Sequence, residues 1–328
     1  MGEFETDDRM PTLVTFGETM LRLAPPTGER IETATQLDFK TAGAESNVAI
    51  AASNLGVDST WISKLPDSPL GRRVTRELRS HGVEPAVTWT EDGRQGAYYI
   101  ERGGDPRGTN VIYDRTDAAI RTTTTEEVTG AVDLETTDAV YTSGITPALS
   151  SRLRETTASF LEQAGRAGAT TVFDLNYRSK LWSPSEARSC CTSLLESVDV
   201  AVIAARDART VLDRTGSDEE IVRELASTGD PAVVVLTRGA DGAMAVDRDG
   251  RLHDQPAVAA ETTDPIGTGD AFVGGFLASY LDDRDVASAL AYGSATAALK
   301  RTIDGDLAIV TPEEVRAVLE NDGGGITR

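Results

Sequence analysis

Apolar residues along this chain follow two alternating rhythms. Short runs rich in β-branched residues recur at 13–18, 60–65, 139–143, 170–175, 200–203 and 232–237, and they predict strands. Between most of them, apolar positions at helical spacing predict helices over 46–55, 70–81, 151–168, 185–197 and 219–227. This alternation implies an α/β protein built as a three-layer α/β/α sandwich, with a mainly parallel central sheet between helices. After residue 243 the pattern changes to short strands and then to helices at 270–281, 286–301 and 312–320.

Two regions, about 21–40 and 87–116, break the alternation. The second carries Tyr98, Ile100, Val111 and Tyr113 at period two, with turn signals at Asp92-Gly93 and Gly103-Gly104. It is expected to form antiparallel strands projecting from the sandwich as a small β-sheet lid. Tyr99 alternates to the face opposite Tyr98, so a packing role is expected for it. One domain is expected over 11–320, with a disordered tail at 1–10 and a flexible tail at 321–328.

Composition narrows the classes. With 328 residues and 39% hydrophobic content, the chain can bury a large core. Its longest apolar runs are strand length, which excludes a membrane span. Cys190 and Cys191 are neighbours and imply no disulfide framework, so a reducing cytoplasm is expected. There are 53 acidic against 32 basic residues, a net charge of −21, and only Lys40, Lys64, Lys180 and Lys300 are lysines. Such a surface repels nucleic acid. It also repels anionic substrates unless salt screens it, and in molar salt the Debye length falls to ~3 Å. A salt-rich cytoplasm is therefore inferred.

The chemistry concentrates at Thr262 to Gly275, which reads Thr-Thr-Asp-Pro-Ile-Gly-Thr-Gly-Asp-Ala-Phe-Val-Gly-Gly. Gly267 and Gly269 flank Thr268 and allow a tight turn whose N–H groups converge on an anion. The apolar run after Asp270 reads as a buried helix with its positive end at that turn. A carboxylate beside an anion cradle suits phosphoryl transfer: Asp270 as general base, Gly267, Thr268 and Gly269 as backbone donors. The alternative is a plain loop with an aspartate near a helix cap. No Gly-Lys dipeptide occurs, which excludes a Walker A loop, and Phe272 stands where a dinucleotide fingerprint needs glycine. His81, His253 and the paired cysteines form no credible metal site.

With its surroundings, this segment resembles the signature of the ribokinase-like sugar kinases, Asp-Thr-Thr-Gly-Ala-Gly-Asp. The segments at 16–18, 42–49, 67–71 and 239–243 stand in that family's order, and the resemblance runs from about residue 12 to 320. Residues 17–23 and 173–182 look specifically like the 2-keto-3-deoxygluconate kinases. The resemblance implies ATP and Mg2+ as cofactors and a sugar acid as substrate. It also implies a lid that covers the sugar and often supplies a homo-oligomer interface.

Residue by residue, it implies that Gly43 lets the sugar approach the backbone, Tyr98 lines the pocket, and Tyr113 and Arg115 reach in from the lid. Asn176 and Arg178 would contact nucleotide and substrate, with Arg115 and Arg178 clamping the carboxylate. Asp306 would bind the substrate's polar end, with Asp304 as the alternative two residues away. Thr237, Gly239, Asp241 and Gly242 would contact nucleotide in the turn after a parallel strand, though Gly-Ala-Asp-Gly is also a routine hairpin turn. One departure stands out: the family's Asn-X-X-Glu is replaced by Ala204-Ala205-Arg206-Asp207-Ala208, with Asp207 as a substitute. Magnesium would then rest mainly on ATP and water. Competing readings are a fructokinase or ribokinase, a dinucleotide-dependent oxidoreductase, and a non-catalytic sugar-acid sensor.

Overall fold

The computed structural model describes residues 9–103, 106–229 and 231–320. Residues 1–8 of the expected tail at 1–10, the expected tail at 321–328, and the Gly104 half of one turn signal lie outside the described residues, whereas Arg9, placed in that tail, is held by Asp138 at 2.8 Å.

The strands are β1 (Thr12–Phe16), β2 (Met20–Ala24), β3 (Asp38–Ala42), β4 (Asp58–Pro66), β5 (Glu84–Thr90), β6 (Ala97–Arg102) and β7 (Thr109–Asp114). They continue with β8 (Ala139–Ser143), β9 (Thr170–Asp174), β10 (Val200–Ala204), β11 (Val233–Thr237), β12 (Ala243–Val246) and β13 (Leu252–Gln255). The helices are α1 (Ala44–Asn54), α2 (Pro69–Ser80), α3 (Thr125–Thr129), α4 (Ile145–Ala148), α5 (Ser151–Ala167) and α6 (Pro184–Leu195). After them come α7 (Ala205–Thr210), α8 (Asp218–Ser227), α9 (Thr268–Asp283), α10 (Val286–Arg301) and α11 (Pro312–Glu320).

Nine strands form the central sheet in the order β13-β12-β11-β10-β9-β8-β1-β4-β5. From β11 to β5 every pairing is parallel, and only β12 and β13 are added antiparallel. Consecutive strands run outward in opposite directions from the β1/β8 boundary. That boundary is the switch point where open sheets of this kind open a crevice at the strands' carboxyl ends.

Each strand feeds two cores, as period two requires. In β1, Leu13 packs among α1, α9 and α10, while Val14 and Phe16 pack on the other face with Phe160, Leu161, Leu194 and Ile221. Helix α9 is buried almost all round, and Gly274 lets it approach α1, where an added Cβ would lie 2.5 Å from that of Ala51. This close crossing fixes the head of α9 relative to the head of α1.

The lid is a four-stranded sheet, β3-β2-β6-β7. Two corrections apply to the expected lid. Residues 84–90 form β5, which pairs in parallel with β4 at the edge of the main sheet, so the second lid segment starts at Ala97. A half-exposed edge strand alternates like a lid strand, which is why the pattern did not separate them. The lid is also mixed rather than antiparallel, since β2 and β6 run parallel.

Candidate active site

Helix α9 begins at an unusual cap. Gly267 has φ 76°, in the left-handed region, and the Asp306 carbonyl occupies the place of its missing Cβ, so only glycine fits. The turn is tied by Thr268 Oγ1, which donates to the Pro265 carbonyl at 2.7 Å, and by the Ala271 amide, which donates to Gly267 O at 2.9 Å. Among the described residues, nothing accepts a hydrogen bond from the amides of Gly267, Gly269 or Asp270; of the three donors expected from the sequence Thr268 is the exception, its amide being directed at the Pro265 carbonyl at 3.4 Å by the tight turn. An unpartnered set of amides at the head of a 16-residue helix is a ready anion seat.

Asp270 stands half-buried at that seat. Its Oδ2 accepts from Asn47 Nδ2 at 2.7 Å, and Asn47 is a buried residue in the first turn of α1. Burial raises the Asp270 pKa, while the Asn47 hydrogen bond and the charges of Arg178 and Lys300 pull it down. The balance suits a base that must be ionised yet basic.

A second group of residues converges from the sheet. Asp174 ends β9, and its Oδ1 accepts from the Asn176 amide at 3.0 Å, which holds Asn176 at φ 39°. Burial and the nearby Asp270 charge push Asp174 up to about 8, against the pull of Arg178. Asp207 accepts from the Tyr177 amide at 3.2 Å and from Arg206 Nε at 2.9 Å. The Arg178 guanidinium lies near enough to both Asp174 and Asp270 to favour their ionised forms. Among the described residues its only hydrogen bond is a long one, 3.4 Å, to the Tyr177 carbonyl.

The lid residues fall differently. Tyr98 and Tyr113 face each other at 6.0 Å between ring centroids, and the Arg115 guanidinium sits 4.6 Å over the Tyr113 ring. Arg115 is buried and its Nη1 meets Glu18 Oε2 at 2.8 Å, so its charge already has a partner, whereas Arg178 has none among the described residues. Asp306 is 6% exposed and both its oxygens are engaged, one by Arg22 and the other by the Tyr98 hydroxyl at 2.9 Å. Asp304 is exposed and holds two lid cations, Arg102 at 2.6 Å and Lys40 at 3.1 Å. At Gly43 the space a Cβ would take is filled by the Glu18 carbonyl, so the chain's own backbone demands this glycine.

Thr237, Gly239, Asp241 and Gly242 lie on the same carboxyl-terminal rim, in a 3₁₀ turn that joins β11 to the antiparallel β12. The element is a hairpin turn, and it follows a strand that is parallel to its other neighbour.

Three residues were not singled out as site residues. In the sequence Asn47 and Asp264 stand inside segments that carry the family resemblance, with nothing local to set them apart, and Lys300 lies in the last turn of a helical run. Asp264 is fully buried, and its carboxylate accepts from the Ile266 amide at 3.1 Å and the Gly305 amide at 3.0 Å while meeting Arg102. It organises the loop that leads into the Gly267 turn.

No group of three His, Cys, Asp or Glu side chains among the described residues could hold a metal ion. No described helix is long and apolar enough to cross a membrane.

The sequence profile of the pfkB carbohydrate kinases matches residues 10–311. The chain belongs to this family. A 2-dehydro-3-deoxygalactonokinase of Haloferax volcanii is 62% identical over 317 residues, covering 96% of this chain and 99% of the relative. A 2-dehydro-3-deoxygluconokinase of Thermoproteus tenax is 30% identical, covering 96% of each chain. Among solved structures, the 2-dehydro-3-deoxygluconokinase of Thermotoga maritima superposes with a TM-score of 0.88 at 30% identity, covering 95% of this chain and 99% of that one. As a pfkB carbohydrate kinase, the chain has the ribokinase-like fold expected for it, a large and mostly parallel sheet with a smaller separate one.

Proposed function

We propose that this pfkB kinase transfers the γ-phosphoryl group of ATP to the terminal hydroxyl of a 2-dehydro-3-deoxyhexonate. The observation that carries this reading is Asp270, a carboxylate fixed by Asn47 beside unpartnered amides at a helix head. Asp270 Oδ accepts the hydroxyl proton as the sugar oxygen forms its bond to phosphorus. The P–O bond to ADP breaks in line. The amides of Gly267, Gly269 and Asp270 face the charge that gathers on the transferring group, together with the positive end of α9. Bound magnesium, brought with the nucleotide, would offset phosphate charge.

The acid end of the substrate is assigned to Arg178, whose guanidinium has no carboxylate partner among the described residues. A neutral sugar would leave that cation unused, which ranks fructokinase and ribokinase activity second. Tyr98 and Tyr113 line the lid side, with Arg115 and Asp306 held behind them by Glu18 and Arg22. Asn176 and the turn Thr237, Gly239, Asp241 and Gly242 are assigned to the nucleotide. The exposed Ile112 on the lid supports a homo-oligomer contact there, and a cytoplasmic setting accords with an ATP-dependent enzyme.

The sequence motifs favoured the gluconate epimer. The relative at 62% identity is a galactonate-type kinase, which moves that epimer, inverted at C4, to first place. An ADP-release assay over both epimers, neutral hexoses and pentoses, in high salt, tests the reading. Turnover of either 2-dehydro-3-deoxy acid well above the neutral sugars supports it, and turnover of only neutral sugars removes it.

A further inference from the structure

Of the chain's four lysines, Lys300 alone is fully buried. It sits in the last turn of α10, where a lysine ordinarily reaches out towards solvent and the final carbonyls. Here its ammonium turns inward and donates to the carbonyl oxygens of Asp264 at 3.0 Å and Ile303 at 3.3 Å. Those carbonyls come from the two loops that enclose the anion seat. Asp264 precedes Gly267 by three residues, and the loop after Ile303 supplies the Asp306 carbonyl that packs against Gly267.

The charged groups facing the ammonium are the carboxylates of Asp264 and Asp304 and the guanidiniums of Arg102 and Arg22. Burial is the strongest influence and pushes the ammonium down to about 8, which leaves it protonated at neutral pH. A charge buried on two neutral carbonyls is costly unless it serves the groups around it. A chain that uses arginine almost everywhere places here the one side chain that delivers a compact point charge on a flexible stem. The field of that charge reaches Asp270 and favours its ionised form.

We propose that Lys300 is a tethered cation beneath the phosphate-binding turn. As a positioning residue, it clamps the Asp264 and Ile303 carbonyls and sets a fixed positive charge under the transferring phosphoryl group and the Asp270 carboxylate. This rests on the reading of Asp270 as base and of the turn as phosphoryl seat.

Steady-state kinetics of Lys300→Gln and Lys300→Met as a function of pH test it. Both variants are expected to melt cooperatively, with kcat about tenfold or more below wild type. The KM for the sugar acid should stay within about twofold, because the ammonium acts on the transition state rather than on substrate binding. The acidic limb of kcat should move to higher pH as Asp270 loses a neighbouring positive charge, a shift that a merely structural role would not produce. Wild-type kcat with an unmoved acidic limb in either variant overturns the proposal. Loss of the native fold in both also overturns it, by making the ammonium a structural bolt. Asp270→Asn separates the two levels: if it abolishes turnover while Lys300→Gln changes nothing, only the present proposal falls.

Discussion

Asn47 Nδ2 donates to Asp270 Oδ2 at 2.7 Å, joining the heads of two helices that lie 223 residues apart in the chain. The bond fixes where the carboxylate points, and it favours the ionised form.

Replacing Asn47 with leucine removes that bond and leaves burial as the dominant influence on Asp270. The Asp270 pKa then rises further, so the acidic limb of kcat moves to higher pH. A hydrogen bond to a charged group is worth ~1.5–3 kcal/mol, so kcat should fall by about tenfold or more even at the pH optimum. A pH–rate profile of Asn47→Leu with an unchanged acidic limb would show that the contact does not govern the base.

Much of this arrangement was legible in the sequence, and the limits have physical causes. Gly267, Gly269 and Asp270 could be read because a glycine turn before an apolar helix leaves few conformational choices. The helices α5, α9, α10 and α11 followed from their apolar spacing to within a few residues. Residues 87–90 were misassigned because an edge strand and a lid strand present the same alternation. Arg115 and Asp306 read as substrate contacts, and the partners that hold them, Glu18 and Arg22, could not be read because those contacts join distant stretches of chain. Lys300 was unreadable for a related reason: only tertiary packing turns a helix-terminal lysine inward.

Glu45 offers a stability test away from the chemistry. It is fully buried, with Oε1 accepting from the Ser143 amide at 3.1 Å, Ser143 Oγ at 2.6 Å and Thr146 Oγ1 at 2.9 Å. Burial outweighs these bonds and raises its pKa from 4.5 to about 7. The folded state thus holds this proton more tightly than the unfolded chain does, and stability drains away as pH rises from 4.5 through 7. Glu45→Gln has no such term, so its melting temperature relative to wild type should climb between pH 5 and pH 8. The relative gain is on the order of 2–3 kcal/mol. A constant difference across that range would mean Glu45 stays ionised in the folded protein.

Salt should control both stability and turnover. With a net charge of −21, the surface repels itself and repels ATP and a sugar acid until ions screen it. Thermal midpoint and kcat/KM are expected to rise together as potassium chloride approaches molar concentration. Full activity and an unchanged midpoint in salt-free buffer would remove the inference of a salt-adapted enzyme.

The central claim is that Asp270 removes the proton from the attacking hydroxyl. Asp270→Asn keeps the shape of the side chain, so the fold should survive with wild-type ellipticity. Its steady-state ADP release with the preferred sugar acid should drop by about 10²- to 10⁴-fold. A correctly folded Asp270→Asn enzyme that retained more than about a tenth of the wild-type rate would contradict the account.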